Sequence, residues 1–416
     1  MLAVPAACKP MIKPLISPQA YALSGRGIQF ITQIAMVLIF PKILAPSDYV
    51  QFNLLLPLVF LFVSLLFGWL IGATFRHIHP LLDAAGNKQR QTVFWYFGVT
   101  TSLLLALYLV VSTASDSLYV LIPLLIAANA LKSGLLSILN AAEKQKPYFF
   151  ANLCFALSLA VFIGINTLAK QAGLATGLVI YSFIDIILAL AGWYMMGVFS
   201  FPPLPRFDSL IARQYFLYGL PIVINNLFVW VVSLSDRYLL MLWESTEHVA
   251  NYILSYQLAS SMITIPLMLA ITVIFPKIIR IDKEQNQKAA LDYTHRFRKS
   301  YLRLMPVLLV CGCLVVLPFK HYLYSDFELE PALIVIILLA QLINGLSHFY
   351  NKEFELNGKT LVITKSIGLG ALVNTVLNLA LIPHFGLLGS ATATLVAYSS
   401  SVFIVFKAGK YRSSKI

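Results

Sequence analysis

Between Tyr215 and Leu242 the sequence YFLYGLPIVINNLFVWVVSLSDRYLLML runs nearly apolar for 28 residues, yet it carries Asp236 beside Arg237. Such a run is long enough to cross a bilayer as a tilted helix. A charge held at hydrocarbon depth costs from about 2.5 to over 10 kcal/mol, so it normally faces a bundle interior or a wet cavity. Asn226, Trp230, Ser233 and Arg237 follow one another at spacings of four, three and four, which puts them on one helical stripe. Two readings compete here. The stripe lines a cavity, or Asp236 and Arg237 neutralise each other near the outer interface and only fix packing.

Other apolar stretches hold similar residues. Arg26, Gln29 and Gln33 share a stripe on the first, with Gly25 and Gly27 allowing close backbone approach. Lys132 stands with Asn129, Ser133 and Asn140 on a polar face of the fourth. Arg26 reads either as a cavity residue or as a snorkelling one. Gln341, Asn344, His348, Lys352 and Glu355 form the clearest polar stripe in the chain; His348 is a proton relay or a hydrogen-bonded core histidine. Asp185 is a mid-span carboxylate without an adjacent base, able to take a coupling cation or proton, or to pair with a cavity base. Arg303 and Lys365 lie near span ends and read as snorkelling residues. Five bases against two acids within the spans would make a wet interior positive, which suits phosphate or carboxylate.

Several chemistries are excluded. Gly358-Lys359-Thr360 is no phosphate loop, because Glu353 stands where the leading glycine is needed and no strand precedes it. No nucleophile and base pair stands out, so the chain is not expected to be an enzyme. Cys154, Cys311 and Cys313 sit in apolar spans as small hydrophobes and Cys8 lies in the N-terminal tail, so neither a disulfide framework, a metal nor a cofactor is expected.

A chain of 416 residues with 59% hydrophobic side chains and 11% charge is an integral membrane protein. Apolar runs predict twelve spans, at about 18–40, 50–73, 93–113, 118–140, 148–169, 174–198, 215–242, 249–275, 300–319, 331–351, 361–382 and 387–406. The net charge of +13 would suggest nucleic acid in a soluble protein, but its placement follows membrane sidedness instead. With these spans, 22 Lys and Arg fall on one side and only Lys42, Lys170 and Lys320 on the other, so both termini are expected to be cytoplasmic. The expected organisation is a cytoplasmic tail (1–17), an N-lobe of helices 1–6 (18–198), a cytoplasmic linker (199–214), a C-lobe of helices 7–12 (215–406) and a second tail (407–416).

The lobes repeat each other. Tyr21-Ala-Leu-Ser-Gly25 matches Tyr215-Phe-Leu-Tyr-Gly219, Asp48-Tyr49 resembles Asn251-Tyr252, and Gly173 matches Gly386, at offsets that grow slowly from 194 to 213. Six spans per copy make the repeats parallel, related by an axis along the membrane normal. The fold expected is therefore all-α, two six-helix lobes around a central cavity.

The Gly25-Arg26 opening of helix 1, PKILAPSDY at Pro41–Tyr49, Ser235-Asp236-Arg237-Tyr238, Val249-Ala-Asn-Tyr252 and Gly386-Leu-Leu-Gly389-Ser-Ala-Thr carry a family likeness over essentially the whole chain. The chain resembles the polysaccharide transporter family, the O-antigen flippases, within the multidrug/oligosaccharidyl-lipid/polysaccharide exporter superfamily. That resemblance implies movement of an undecaprenyl-pyrophosphate-linked glycan, a repeat unit for O-antigen or another surface polysaccharide, from the inner to the outer leaflet of a bacterial cytoplasmic membrane by alternating access. Implied partners are membrane lipids, a polysaccharide polymerase and chain-length regulator, and a coupling proton or sodium ion. The positions closest to the family's basic lumen residues are Arg26, Lys132 and Arg237, supported by Gln29, Gln33, Asn226 and His348, with Asp185 and Asp236 for ion coupling. Two rivals stand beside this: a multidrug or organic-cation antiporter of the same superfamily, which needs cavity carboxylates, and a membrane glycosyl polymerase, which needs a larger outer loop than the short ones here.

Overall fold

A computed structural model describes residues 18–76, 87–115, 117–168, 173–195, 207–323 and 327–413. The N-terminal tail (1–17), residues 199–206 of the expected linker and the last three residues of the chain lie outside these residues, while 407–413 of the expected second tail are helical. Apolar runs long enough to cross a bilayer become helices because the backbone N–H and C=O groups must pair within the segment when no water is present. The helices are α1 (Pro18–Ile43), α2 (Pro46–Arg76), α3 (Asn87–Ser112), α4 (Ile122–Ala141, entered through a 3-10 turn at Leu118–Leu121), α5 (Gln145–Leu168) and α6 (Gly173–Met195). In the second half come α7 (Ser209–Leu240), α8 (Thr246–Glu284), α9 (Gln287–Leu323) and α10 (Pro331–Leu356).

The remaining helical stretch, Thr360–Ser413, breaks at Gly386, whose φ of 54° and ψ of −129° are not helical. Its arms, residues 360–385 (α11) and 387–413 (α12), fold back on each other. The Asn374 amide donates to Thr394 Oγ1 (3.3 Å) and Ser401 Oγ donates to the Ser366 carbonyl (3.0 Å), contacts symmetric about residue 384. Twelve membrane-crossing helices thus lie among the described residues.

Helices α1–α6 pack mainly on one another and α7–α12 likewise, with α2 bridging the two groups through α7 and α8; α4 and α10 are the most enclosed helix of each lobe. The repeat extends to backbone detail. After α4, Glu143 (φ 55°) donates to the Asn140 carbonyl and Lys144 to that of Leu139; after α10, Gly358 (φ 65°) donates to Glu355 and Lys359 to Phe354. This is one helix-closing motif used twice, with its left-handed residue at C′. Gly173 (φ 70°) and Gly386 likewise occupy equivalent corners.

Two boundaries differ from the sequence expectation. The linker placed at 199–214 ends earlier, because Asp208 caps α7 by accepting the N–H groups of Leu210 (3.0 Å) and Ile211 (3.2 Å). The basic loop expected between 276 and 299 is instead almost all helix. α8 and α9 have 39 and 37 residues, about 55–60 Å at 1.5 Å per residue, and overshoot a hydrocarbon core of roughly 30 Å. Hydropathy registers only the buried part of such helices. Their extensions are tied back to α10, where Glu353 accepts from Arg298 and lies 3.2 Å from His295 Nε2.

The internal two-fold predicts two equivalent seams between lobes, α2 with α7 and α1 with α8. They are unequal: α2 packs along α7 for its whole length, whereas α1 and α8 touch sparsely. At the basic end a Cβ on Gly219 would run into the Trp69 backbone, so only glycine permits this approach. At the opposite end Tyr238 donates to the Leu54 carbonyl and Trp230 to that of Pro57 (2.8 Å).

Candidate substrate chambers

Two voids occupy the middle of the bundle. The interlobe chamber, about 470 Å³, is walled by α1 and α2 on one side and by α7, α8, α10 and α12 on the other; Arg237, Tyr256, Ser260, Thr264, Gln341 and Tyr398 line its C-lobe wall. The N-lobe chamber, about 460 Å³, lies among α1, α2, α4, α5 and α6 and is lined by Gln29, Asn129, Lys132, Ser133, Asn152 and Tyr181. Gln33, Met36, Phe52, Leu56 and Phe60 belong to both walls, so the chambers adjoin.

Arg237 is placed by the last turn of α7, close to the opposite face. It is 5% exposed, and among the described residues its Nε has no hydrogen-bond partner and no ion pair engages its guanidinium. Its closest described electrostatic contact besides its neighbour is the Tyr256 ring, 5.6 Å below the guanidinium carbon. Asp236 does not neutralise it through an ion pair. Asp236 turns away, accepting the Arg237 backbone N–H on Oδ1 (2.9 Å) and the Tyr252 hydroxyl on Oδ2, and is fully buried. The two charges are adjacent, but their side chains form no direct ion pair among the described residues. Ser233 shares a hydrogen bond with Tyr398 (3.1 Å) beside Arg237, but Trp230 and Asn226, lower on the same stripe, turn onto α2.

Lys132 is the opposite case. Its Nζ lies 3.0 Å from Asp185 Oδ2 and 3.2 Å from the Tyr181 hydroxyl, and sits over the Phe155 and Tyr181 rings at 4.7 and 5.5 Å. Ser158 donates to the other carboxylate oxygen. Of the roles left open for Asp185, the structure takes the pairing with a cavity base. The residue expected for ion coupling is thus held by Lys132 and Ser158 in this arrangement.

The remaining expected positions divide. Gln29 and Gln33 face the chambers as their stripe requires. Arg26, half-buried one turn nearer the terminus on that stripe, lines neither chamber and makes no ion pair among the described residues; of the three bases expected at the lumen, Lys132 and Arg237 line chambers, but different ones, so the three do not share one void. Asn226 donates to Ser64 (3.2 Å) in a separate groove of about 510 Å³ that continues between α2 and α7 toward the basic face. His348 lines a small void of about 140 Å³ inside the C-lobe, which shares Ser233, Asn344 and Tyr398 with the interlobe chamber and so adjoins it, while His348 itself lies on neither chamber wall. The reason is rotation: α10 presents Gln341 and Asn344 to the interlobe chamber, and the stripe then winds inward.

Sequence reasoning missed the closure at the face opposite the termini. Tyr49 donates to Gln257 Oε1 (2.8 Å), Gln257 donates to Asn53 Oδ1, and the Tyr49 and Phe327 rings meet edge to face at 5.7 Å. Gln257, a lone amide in an apolar run, was the available signal.

The fold these chambers belong to is that of membrane transporters built from two six-helix lobes. The chain is similar to a solved structure of the lipid II flippase MurJ in an inward closed conformation, with 15% identity, coverage of 94% of this chain and 87% of that one, and a TM-score of 0.69. It is also similar to a multidrug resistance MATE family transporter of the MOP superfamily in its inward-facing conformation, with 13% identity, coverage of 98% and 97%, and a TM-score of 0.65. An outward-facing MATE structure, also 13% identical with coverage of 96% and 97%, superposes less well, at 0.56. At such identities the likeness is one of fold. No protein-family profile matches the chain, and no curated protein matches it in sequence.

Proposed function

We propose that the protein is a flippase for a lipid-linked, phosphate-anchored oligosaccharide, carried from the basic, cytoplasmic face to the other leaflet by alternating access of the lobes. The expected cargo is an undecaprenyl-pyrophosphate-linked repeat unit. The observation that carries this reading is Arg237, a buried guanidinium on a chamber wall that no carboxylate among the described residues pairs with directly. An unpaired buried charge is costly, and an anionic ligand removes that cost by supplying the missing charge and acceptors. Its position supports the same cycle. Arg237 lies just under the Tyr49–Gln257 closure, while open space continues toward the basic face, so an anion drawn up from that face meets Arg237 at the deep end. Opening the closure and sealing the basic end then exposes it to the other side.

Gene deletion tests the reading: the lipid-linked repeat should accumulate on the cytoplasmic leaflet while its synthesis continues. Finding it normally exposed on the outer leaflet refutes the proposal. A second reading, a multidrug or organic-cation antiporter, draws support from the fold likeness to MATE transporters and from Asp236, a buried carboxylate with no ion pair. Against it, Asp236 does not line either chamber and Asp185 is already held by Lys132. Efflux of cationic dyes that depends on this chain would favour it.

A further inference from the structure

The chambers adjoin but differ in charge. In the interlobe chamber Arg237 makes no ion pair among the described residues, its neighbour Asp236 being turned away from it; in the N-lobe chamber Lys132 is matched by Asp185 at 3.0 Å and covered by two aromatic rings. The second chamber therefore holds no net charge, and its wall is amide and aromatic. Asn129 and Asn152 each commit an amide hydrogen to the carbonyl one turn back (2.9 and 2.8 Å), which fixes the side chain and leaves its oxygen as an acceptor. Gln29 and Gln33 add both donors and acceptors, and Phe60 and Phe162 add apolar faces. Rigid amides for hydroxyl groups and aromatic faces for the C–H side of a pyranose ring are what an uncharged sugar requires, in a volume typical of small-molecule sites.

We propose that the N-lobe chamber is a subsite for an uncharged saccharide and that the anionic end of the same cargo is held apart from it, at Arg237. The inference rests on the reading of the cargo as a phosphate-anchored glycan. Gln33 and Phe60, common to both walls, sit where the two parts of such a headgroup join. The Lys132–Asp185 pair sets specificity by denying the N-lobe chamber a free cation, which disfavours phosphate or uronate there.

The test is photo-crosslinking in cells that make the native cargo, with Ala156→p-benzoylphenylalanine in the N-lobe chamber or Ser261→p-benzoylphenylalanine in the interlobe chamber. Sugar-bearing adducts at both positions are expected. Adducts at Ser261 alone overturn the subsite while leaving the flippase reading intact; adducts at neither position overturn the cargo reading and the inference with it. Purified full-length protein titrated with inorganic pyrophosphate gives a second measurement. One equivalent should bind, none to Arg237→Gln, and two to Asp185→Asn, where Lys132 is unmasked. Binding that survives Arg237→Gln but is lost in Lys132→Met overturns the division of charge.

Discussion

Tyr49 on α2 and Gln257 on α8 meet across the lobes, the hydroxyl donating to Oε1 at 2.8 Å, and the same amide returns a hydrogen bond to Asn53 on α2. Both contacts are half-buried, so removing the amide takes one hydrogen bond from each of two α2 side chains. A lost hydrogen bond of this kind costs about 1–3 kcal/mol, equivalent to a roughly 5- to 100-fold change in a two-state ratio. Gln257→Leu is expected to shift the protein toward a form open on that face. Spin labels on the loop-side ends of α2 and α8 should report a longer distance population, and an unchanged distribution would show that the closure does not depend on this pair.

Arg237→Ala is expected to weaken cargo binding about 10- to 100-fold, the range for hydrogen bonds to a charged group. Arg237→Lys should recover only part of it, because an ammonium lacks the planar fork. Arg26→Ala, one turn outside the chambers, should have the smaller effect, and exposed Arg303→Ala none. Surface glycan normalised to protein level checks the series; equal loss for all would mean that anchoring has been taken for recognition.

For Lys132 and Asp185 the expectation is strong coupling. Asp185→Leu strands a largely buried ammonium and should destabilise the fold by about 3 kcal/mol, whereas Lys132→Met combined with Asp185→Leu should recover most of that loss. Thermal unfolding of the four members of this cycle in detergent measures the coupling. Additive losses would remove the pair from the account of the N-lobe chamber.

The repeated helix-closing motif makes a prediction of its own. Glu143 holds a φ of 55° where its counterpart is Gly358, and an L-residue in that conformation costs about 1 kcal/mol relative to glycine. Glu143→Gly should raise the unfolding temperature, with transport unaltered. A fall would mean that the side chain contributes more than the backbone conformation costs.

Most of the architecture was legible because bilayer thickness imposes a length on every span, and length is visible in composition. The twelve spans, the charge asymmetry and the weak repeats at Tyr21/Tyr215 and Gly173/Gly386 all follow from that constraint. The site was legible only in part. Arg237 and Lys132 announce themselves as charges in apolar runs, but whether each is free depends on partners far away in sequence: Asp185 stands 53 residues from Lys132, and no periodicity reports that distance. Asn226 and His348 share stripes with chamber residues but line adjoining voids instead, because a long helix turns its stripe from one neighbour to the next. The amphipathic extensions of α8 and α9 escaped hydropathy altogether, having no hydrocarbon to match.

Those extensions have an effect at a distance. The helix that supplies Tyr256, Gln257 and Thr264 to the chamber wall continues past the bilayer on the basic face, and with its partner carries seven Lys and Arg between Lys277 and Lys299. Field lines from this projecting hairpin reach an approaching anion before any side chain does, and dissolved ions limit that reach to about 8 Å at physiological ionic strength. Added salt should therefore slow the capture of cargo while leaving its grip at Arg237, which is shielded from solvent, nearly unaltered.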